Sequence, residues 1–331
     1  MGGSLVGKST NELTIRRQMK NKNTSANKVA LVTGSATGIG YETAVHLAKN
    51  GFHTYATMIS LQKANGITEM AKTENLPLSL IQLDVTDDIS VTKAIDTVIN
   101  ESGRIDVLVN NAGYGLVGSV EDMSIEEMKA QYETNVFGVF RVTKAVLPPM
   151  RKQHGGSIVN ISSIAGRIAL PLYSAYVSTK FAVEGLSESM AYELEPFGIK
   201  VAIIEPGAIK TNFRREQAAK GSSEDSPYSS MMQSPSKAIE KMLKHRLYPE
   251  EVAKTIIQAI ENPKPKLRYI VGKDAEELIE LRRKSSDKDF FHMVGQNILK
   301  KEEFPFPQNR DQVAAQERFR INIVDGERTA I

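Results

Sequence analysis

The chain has 331 residues, 41% hydrophobic and 24% charged, which is ordinary globular material with length enough for a large core. A formal net charge of +3 is too small to point to nucleic acid or a membrane surface. With no cysteine, disulfides, thiolate metal sites and cysteine nucleophiles are excluded. No run approaches the roughly 18 apolar residues of a membrane span. The start has no apolar stretch of the secretory kind, and cytoplasm is the default compartment. Residues 1–27 are rich in Asn, Ser, Thr, Gly and basic side chains, with Glu12 as their one acid. They are expected to form a disordered basic arm.

From residue 28 the pattern alternates short β-branched runs with longer helical ones. Strands are predicted at 28–33, 53–58, 78–83, 105–110, 157–162, 200–205 and 268–272. Several are continuous apolar runs, as expected when helices cover both faces of a parallel sheet. Helices are predicted at 39–50, 60–74, 89–102, 124–151, 175–196 and 249–261, with another from 275 to about 287. Strand–helix alternation defines an α/β fold, a doubly wound parallel sheet of about seven strands in a single domain over 28–275. Residues 212–248 are polar and longer than most connections, so a mobile substrate loop is expected there. The extension 276–331 holds Phe304-Pro305-Phe306-Pro307 and could pack on the body, join copies or stay disordered.

The first strand runs into Thr33-Gly34-Ser35-Ala36-Thr37-Gly38-Ile39-Gly40. Glycine tolerates a sharp strand-to-helix turn and lets a phosphate approach the main chain. The helix start then offers free N–H groups and a positive dipole end. Gly34, Ser35, Thr37, Gly38, Ile39 and Gly40 are therefore a candidate dinucleotide cradle, although the spacing is not G-x-G-x-x-G. An acid ending the second strand would take the ribose 2′-OH, whereas a cation there favours a 2′-phosphate. The stretch Ala56-Thr57-Met58-Ile59-Ser60 carries no acid, and Ser60 and Lys63 are candidate phosphate contacts. NADP(H) is favoured, with NAD(H) possible.

Further along, Tyr176 and Lys180 follow Ser163 by 13 and 17 positions. Their i, i+4 spacing puts them on one helical face, where an ammonium lowers the pKa of a phenol. The apolar strand ending at Ser162-Ser163 presents a hydroxyl at the sheet edge where open α/β proteins bind ligands. Five histidines, scattered without ligand spacing, give no metal site. The sequon Asn160-Ile161-Ser162 lies in a predicted central strand, which rules out glycosylation there.

Over about 28–275 these motifs resemble the short-chain dehydrogenase/reductase family, which carries T-G-x-x-x-G-x-G and Tyr-x-x-x-Lys at these places. The resemblance implies a catalytic set of Asn135, Ser163, Tyr176 and Lys180. Tyr176 would be the general acid/base and Lys180 its tuning partner, also binding the nicotinamide ribose. Ser163 would hold the substrate oxygen, with Ser162 the alternative, and Asn135 would order a water relay or stabilise a helix kink. Asn111-Ala112-Gly113, Asp84-Val85 and Pro206-Gly207-x-Ile209-x-Thr211 match the family's adenosine and nicotinamide segments. Gly113-Tyr114-Gly115 and the 193–198 segment resemble its hydroxysteroid/retinol-dehydrogenase-like branch. A fairly apolar substrate site is expected at Tyr114, Leu116, Ile168, Leu172 and Phe213, for interconversion of an alcohol and a ketone or aldehyde. The family also implies a homodimer or homotetramer. The alternatives are a non-catalytic dinucleotide-binding regulator, which predicts damage at Tyr176, Lys180 or Ser163, and an epimerase or dehydratase, which predicts T-G-x-x-G-x-x-G spacing.

Overall fold

The computed structural model describes residues 28–211, 213, 225–233 and 246–298. The predicted arm 1–27, most of the loop 212–248 and the Phe-Pro segment lie outside the described residues. Seven strands form one all-parallel sheet: β1 (Val29–Val32), β2 (His53–Met58), β3 (Leu78–Gln82), β4 (Val107–Asn110), β5 (Gly156–Ile161), β6 (Ile199–Pro206) and β7 (Arg268–Val271). Their order is β3-β2-β1-β4-β5-β6-β7, so the winding reverses between β1 and β4. Ligand sites of open α/β sheets lie at such a switch point, outside the carboxyl ends of the strands.

The period-2 alternation within each apolar run sorts the core into two layers. Ala30, Val32, Val107, Val109, Val159 and Ile204 face one side, with α1 (Gly38–Lys49) supplying Ala44 and Leu47 to it. Val29, Leu31, Leu108, Ile158 and Val201 face the other, where Ile95 and Val98 of α3 (Asp88–Ser102) pack. In chain order α2 (Asn65–Thr73) comes between these two helices, and its Ile67 packs on the α1 side. The predicted helix 60–74 is in fact broken, with a 3-10 turn at Leu61–Lys63 before α2. The 3-10 turn carries the chain away from the end of β2.

The predicted helix 124–151 is α4 (Ile125–Tyr132), a π turn at Glu133–Phe137 and α5 (Gly138–Lys152) in unbroken succession. A Ser124–Glu127 capping box opens it. Next come α6 (Ser174–Leu194), the short α7 (Ser229–Gln233) and α8 (Pro249–Glu261). The helix expected from 275 to 287 starts directly after β7, as α9 (Lys273–Lys284), and a further helix follows, α10 (Asp287–Ile298). Ala275, Ile279, Phe290 and Met293 of these two pack on Ile164 and Ile168 beside the end of β5. Up to residue 298 the extension is thus part of the body.

Candidate active site

The glycine turn is locked to the segment after β4. Thr33 Oγ1 accepts from the N–H groups of Asn111 and Ala112, both at 3.0 Å. Asn111 Nδ2 donates to Thr33 O at 2.9 Å and Gly34 O at 3.0 Å. Gly34 and Gly38 have φ of 69° and 62°, the left-handed region where a side chain is strained. A β-carbon at Gly34 would lie 2.9 Å from Ala112 Cα, and one at Gly40 would collide with Gly34 O and Asn111 Nδ2. A β-carbon at Gly113 would stand 3.0 Å from Asn135 Oδ1. Ser35 is turned into the protein, its N–H on Thr57 O at 2.7 Å and its hydroxyl on Val32 O at 2.9 Å. Its side chain braces the turn.

Thr37, the N-cap of α1, makes no side-chain cap, and the first turn holds no acid. The positive dipole end at Gly38, Ile39 and Gly40 is therefore left to an anion, which fits the pyrophosphate of a dinucleotide. Across from it, Gly207 N–H pairs with Val271 O after Pro206 ends β6. The turn then carries Ile209 to Thr211, whose Cγ2 would be 3.2 Å from a β-carbon at Gly38. At the other flank Ser60 precedes the 3-10 turn that bears Lys63, and Ile59 is exposed. Asp84 Oδ1 accepts from the N–H and hydroxyl of Thr86 at 2.9 and 2.7 Å, a local turn. Val85 is buried against Gly138, and Arg141 Nη1 donates to its carbonyl at 2.6 Å. Its side chain is core and only its main chain faces outward contacts.

Ser163 lies just beyond the end of β5, where its hydroxyl accepts from Ala165 N–H at 3.1 Å and acts on the Tyr176 phenol. The neighbouring Ser162 hydroxyl is buried on the other side, towards Gly166 and Glu184, which leaves Ser163 as the serine at the phenol. Lys180 lies one turn along α6 from Tyr176, its Nζ 5.6 Å from the ring centre and donating to Ile161 O at 2.8 Å. Burial pushes the Tyr176 phenol up to about 12, with Ser163 opposing. Burial also lowers Lys180 to about 8, opposed by Glu184. Loss of water is the larger cause in both shifts.

Asn135 sits in the π turn, almost fully buried. Its Nδ2 donates to Tyr114 O at 2.7 Å and Thr179 Oγ1 at 3.1 Å, while Oδ1 accepts from Tyr114 N–H at 3.0 Å. Gln131 Nε2 also donates to Tyr114 O, at 2.8 Å. Phe213 meets Tyr176 edge-on with ring centres 5.5 Å apart. Leu172 has φ of 65°, and its carbonyl accepts from Gly118 N–H at 2.8 Å. Two expected substrate contacts are instead core. Leu116 packs with Ala175, Met123 and Met128, and Ile168, 1% exposed, packs under α9 and α10. Apolar character alone does not separate a wall of a site from a core position, and the helices that cover Ile168 arrive from far along the chain.

Residues that the motifs did not flag also shape the site. Asp274 Oδ2 accepts from Ala208 N–H at 2.9 Å, and a β-carbon at Gly207 would lie 2.5 Å from its carboxylate, so the 206–211 turn is pinned from α9. Glu184 is the other. The only sequence signal for Asp274 is a Gly-x-Asp after a strand, too common to single out. Among the described residues no group of three His, Asp or Glu is placed to hold a metal ion.

A doubly wound sheet with an anion-ready glycine turn at its switch point and a Ser–Tyr–Lys group across from it defines a dinucleotide-dependent oxidoreductase. Residues 28–221 match the family model for short chain dehydrogenase, and the chain belongs to that family, whose members act on CH–OH groups with NAD(P). It is 38% identical to 3-ketodihydrosphingosine reductase of Bacteroides thetaiotaomicron, covering 74% of this chain and 88% of that protein. It is 36% identical to retinol dehydrogenase 8 of Bos taurus over 78% of this chain and 85% of the relative, in keeping with the hydroxysteroid/retinol branch. An alcohol dehydrogenase from the archaeon Thermococcus sibiricus, solved with 5-hydroxy-NADP, superposes with a TM-score of 0.62 at 27% identity. That match covers 74% of this chain and 95% of the archaeal one.

Proposed function

We propose that the chain interconverts a fairly apolar alcohol and its ketone or aldehyde with NADP(H), NAD(H) being the secondary cofactor. Its setting would be the cytoplasm, as a homodimer or homotetramer. The observation that carries the reading is the grouping of Ser163, Tyr176 and Lys180, with Lys180 one turn along α6 from Tyr176 and its Nζ held on the Ile161 carbonyl at the end of β5. Ser163 would hold the substrate oxygen while Tyr176 gives it a proton, and the Lys180 ammonium would orient the nicotinamide ribose and favour the phenolate left behind. The nicotinamide supplies or accepts the hydride. Asn135 keeps the Tyr114 segment and Thr179 in place under this group. Asn111, Ala112, Gly113, Asp84 and Val85 would border the adenosine through the main chain and the Asp84 turn, and Pro206, Gly207, Ile209 and Thr211 the nicotinamide. The absence of an acid after β2, with Ser60 and Lys63 beside it, supports the 2′-phosphate.

Titration of NADPH and NADH by the nicotinamide's own fluorescence, followed by a carbonyl screen, tests this. The expected result is tighter NADPH binding and ketone reduction, lost by about 10²-fold or more in Tyr176→Phe. Full turnover in Tyr176→Phe, or binding of neither nucleotide by the folded protein, would overturn it.

A further inference from the structure

Behind the catalytic group lies a set of charges, with Glu184 and Glu205 buried in it, that the reaction as described does not use. Glu205 of β6 is fully buried, and its Oε1 is 2.9 Å from Arg167 Nη1 and 3.5 Å from Arg268 Nε. Arg268, from β7, is also 2.9 Å from Glu184 Oε2 and, through Nη2, 2.6 Å from Glu188 Oε2. Ser162 Oγ, Glu184 Oε1 and Glu205 Oε2 are buried without a hydrogen-bond partner. A β-carbon at Gly166 would stand 2.6 Å from Ser162 Oγ and 2.9 Å from Glu184 Cγ, so this glycine lets the 163–166 turn close over the carboxylate. Two guanidiniums against three carboxylates leave a surplus of negative charge. Burying the two carboxylates Glu184 and Glu205 is a poor device for stability, since desolvation offsets most of the attraction to their guanidiniums. One carboxylate shows the cost: burial and then Glu184 push the Glu205 carboxyl up. Glu184 is four residues beyond Lys180 and on the same face of α6.

We propose that Glu184 is a positioning residue for the hydride-transfer site, its carboxylate anchored by Arg268 and holding the Lys180 ammonium charged at the end of β5. The inference rests on the reading of Lys180 given above. Beside Lys180 stand the Tyr176 ring, its centre 5.6 Å from Nζ, and the Ile161 carbonyl of β5. Glu184 follows on the same face of α6, and Arg268 of β7 links it to Glu188 and to Glu205 of β6, which Arg167 also pairs. Of the charged ones, Glu184 acts most directly on Lys180, against a burial that lowers it to about 8.

The test is the dissociation constant of NADPH from pH 6 to 10, read from nicotinamide fluorescence. Wild-type affinity should weaken as pH passes about 8, where Lys180 loses its proton. In Glu184→Gln the weakening should begin on the order of one pH unit lower, and Glu184→Asp should return it towards the wild-type position. Arg268→Gln, which uncovers the carboxylates, should move it upward. A midpoint unmoved in Glu184→Gln, or moved the same way in Arg268→Gln, would overturn the proposal and leave the array structural. Should Glu184→Gln not fold, Arg268→Gln decides alone: an upward shift supports the proposal and any other result refutes it. Lys180→Met is run beside them, because a pH dependence retained there refutes the role of Lys180 itself rather than that of Glu184.

Discussion

One hydroxyl, Thr33 Oγ1, receives two main-chain N–H groups and so joins the cofactor turn to the segment after β4. Valine has the same shape and no acceptor, and each buried donor left unpaired costs roughly 1–3 kcal/mol. Thr33→Val should therefore lower unfolding stability by about 2–4 kcal/mol in urea and weaken NADPH binding. Unchanged values of both would mean the turn is held by Asn111 alone. At this scale the motif Thr33-Gly34-x-x-x-Gly38-x-Gly40 was legible as a turn, because glycine spacing reports backbone shape directly. What each residue does was less legible. Ser35 braces the turn from within, while Asn111 ties it through its amide. Short polar side chains serve either purpose, and only their partners distinguish the two.

At the scale of elements, the π turn Glu133–Phe137 is the feature that periodicity over 124–151 did not contain. A π turn adds one residue to one helical turn, with no signature in apolar spacing, and such insertions often mark functional sites. Here it delivers Asn135 to Tyr114 and Thr179, joining the α4–α5 helix, the loop after β4 and α6. Asn135→Ala would strand the Tyr114 N–H and weaken the tie to its carbonyl. The expected cost is about 2 kcal/mol, with a fall in turnover at saturating cofactor, measured by urea unfolding and steady-state rates. A variant as stable and active as wild type would show that Gln131 suffices to hold Tyr114. The strands, by contrast, were legible almost to the residue, since a strand covered on both faces leaves a continuous apolar run.

The whole molecule brings its last two described helices back to its reacting edge. Phe290 and Met293 of α10, with Ile279 of α9, close over Ile164 and Ile168, directly after Ser163. Phe290→Ala should cost about 3–5 kcal/mol as a large-to-small core change. It should also raise KM for the carbonyl substrate more than for NADPH, because the cover lies on the Ser163 side of the site. Calorimetry and steady-state kinetics check both parts. A loss of stability with KM unaltered would make α10 a buttress only.

The sequence by itself determined the parallel sheet, the glycine turn and the order Ser163, Tyr176, Lys180, because these are local patterns of apolar period, backbone permissiveness and helical spacing. The tertiary structure decided the rest. It turned Ser35 inward, buried Leu116 and Ile168, placed Asp274 beneath Gly207 and set Glu184 and Arg268 behind Lys180. It also buried the Tyr176 phenol, which pushes its pKa up, and no spacing rule encodes burial. Each of these depends on contacts between distant segments, and water is excluded only once they have closed.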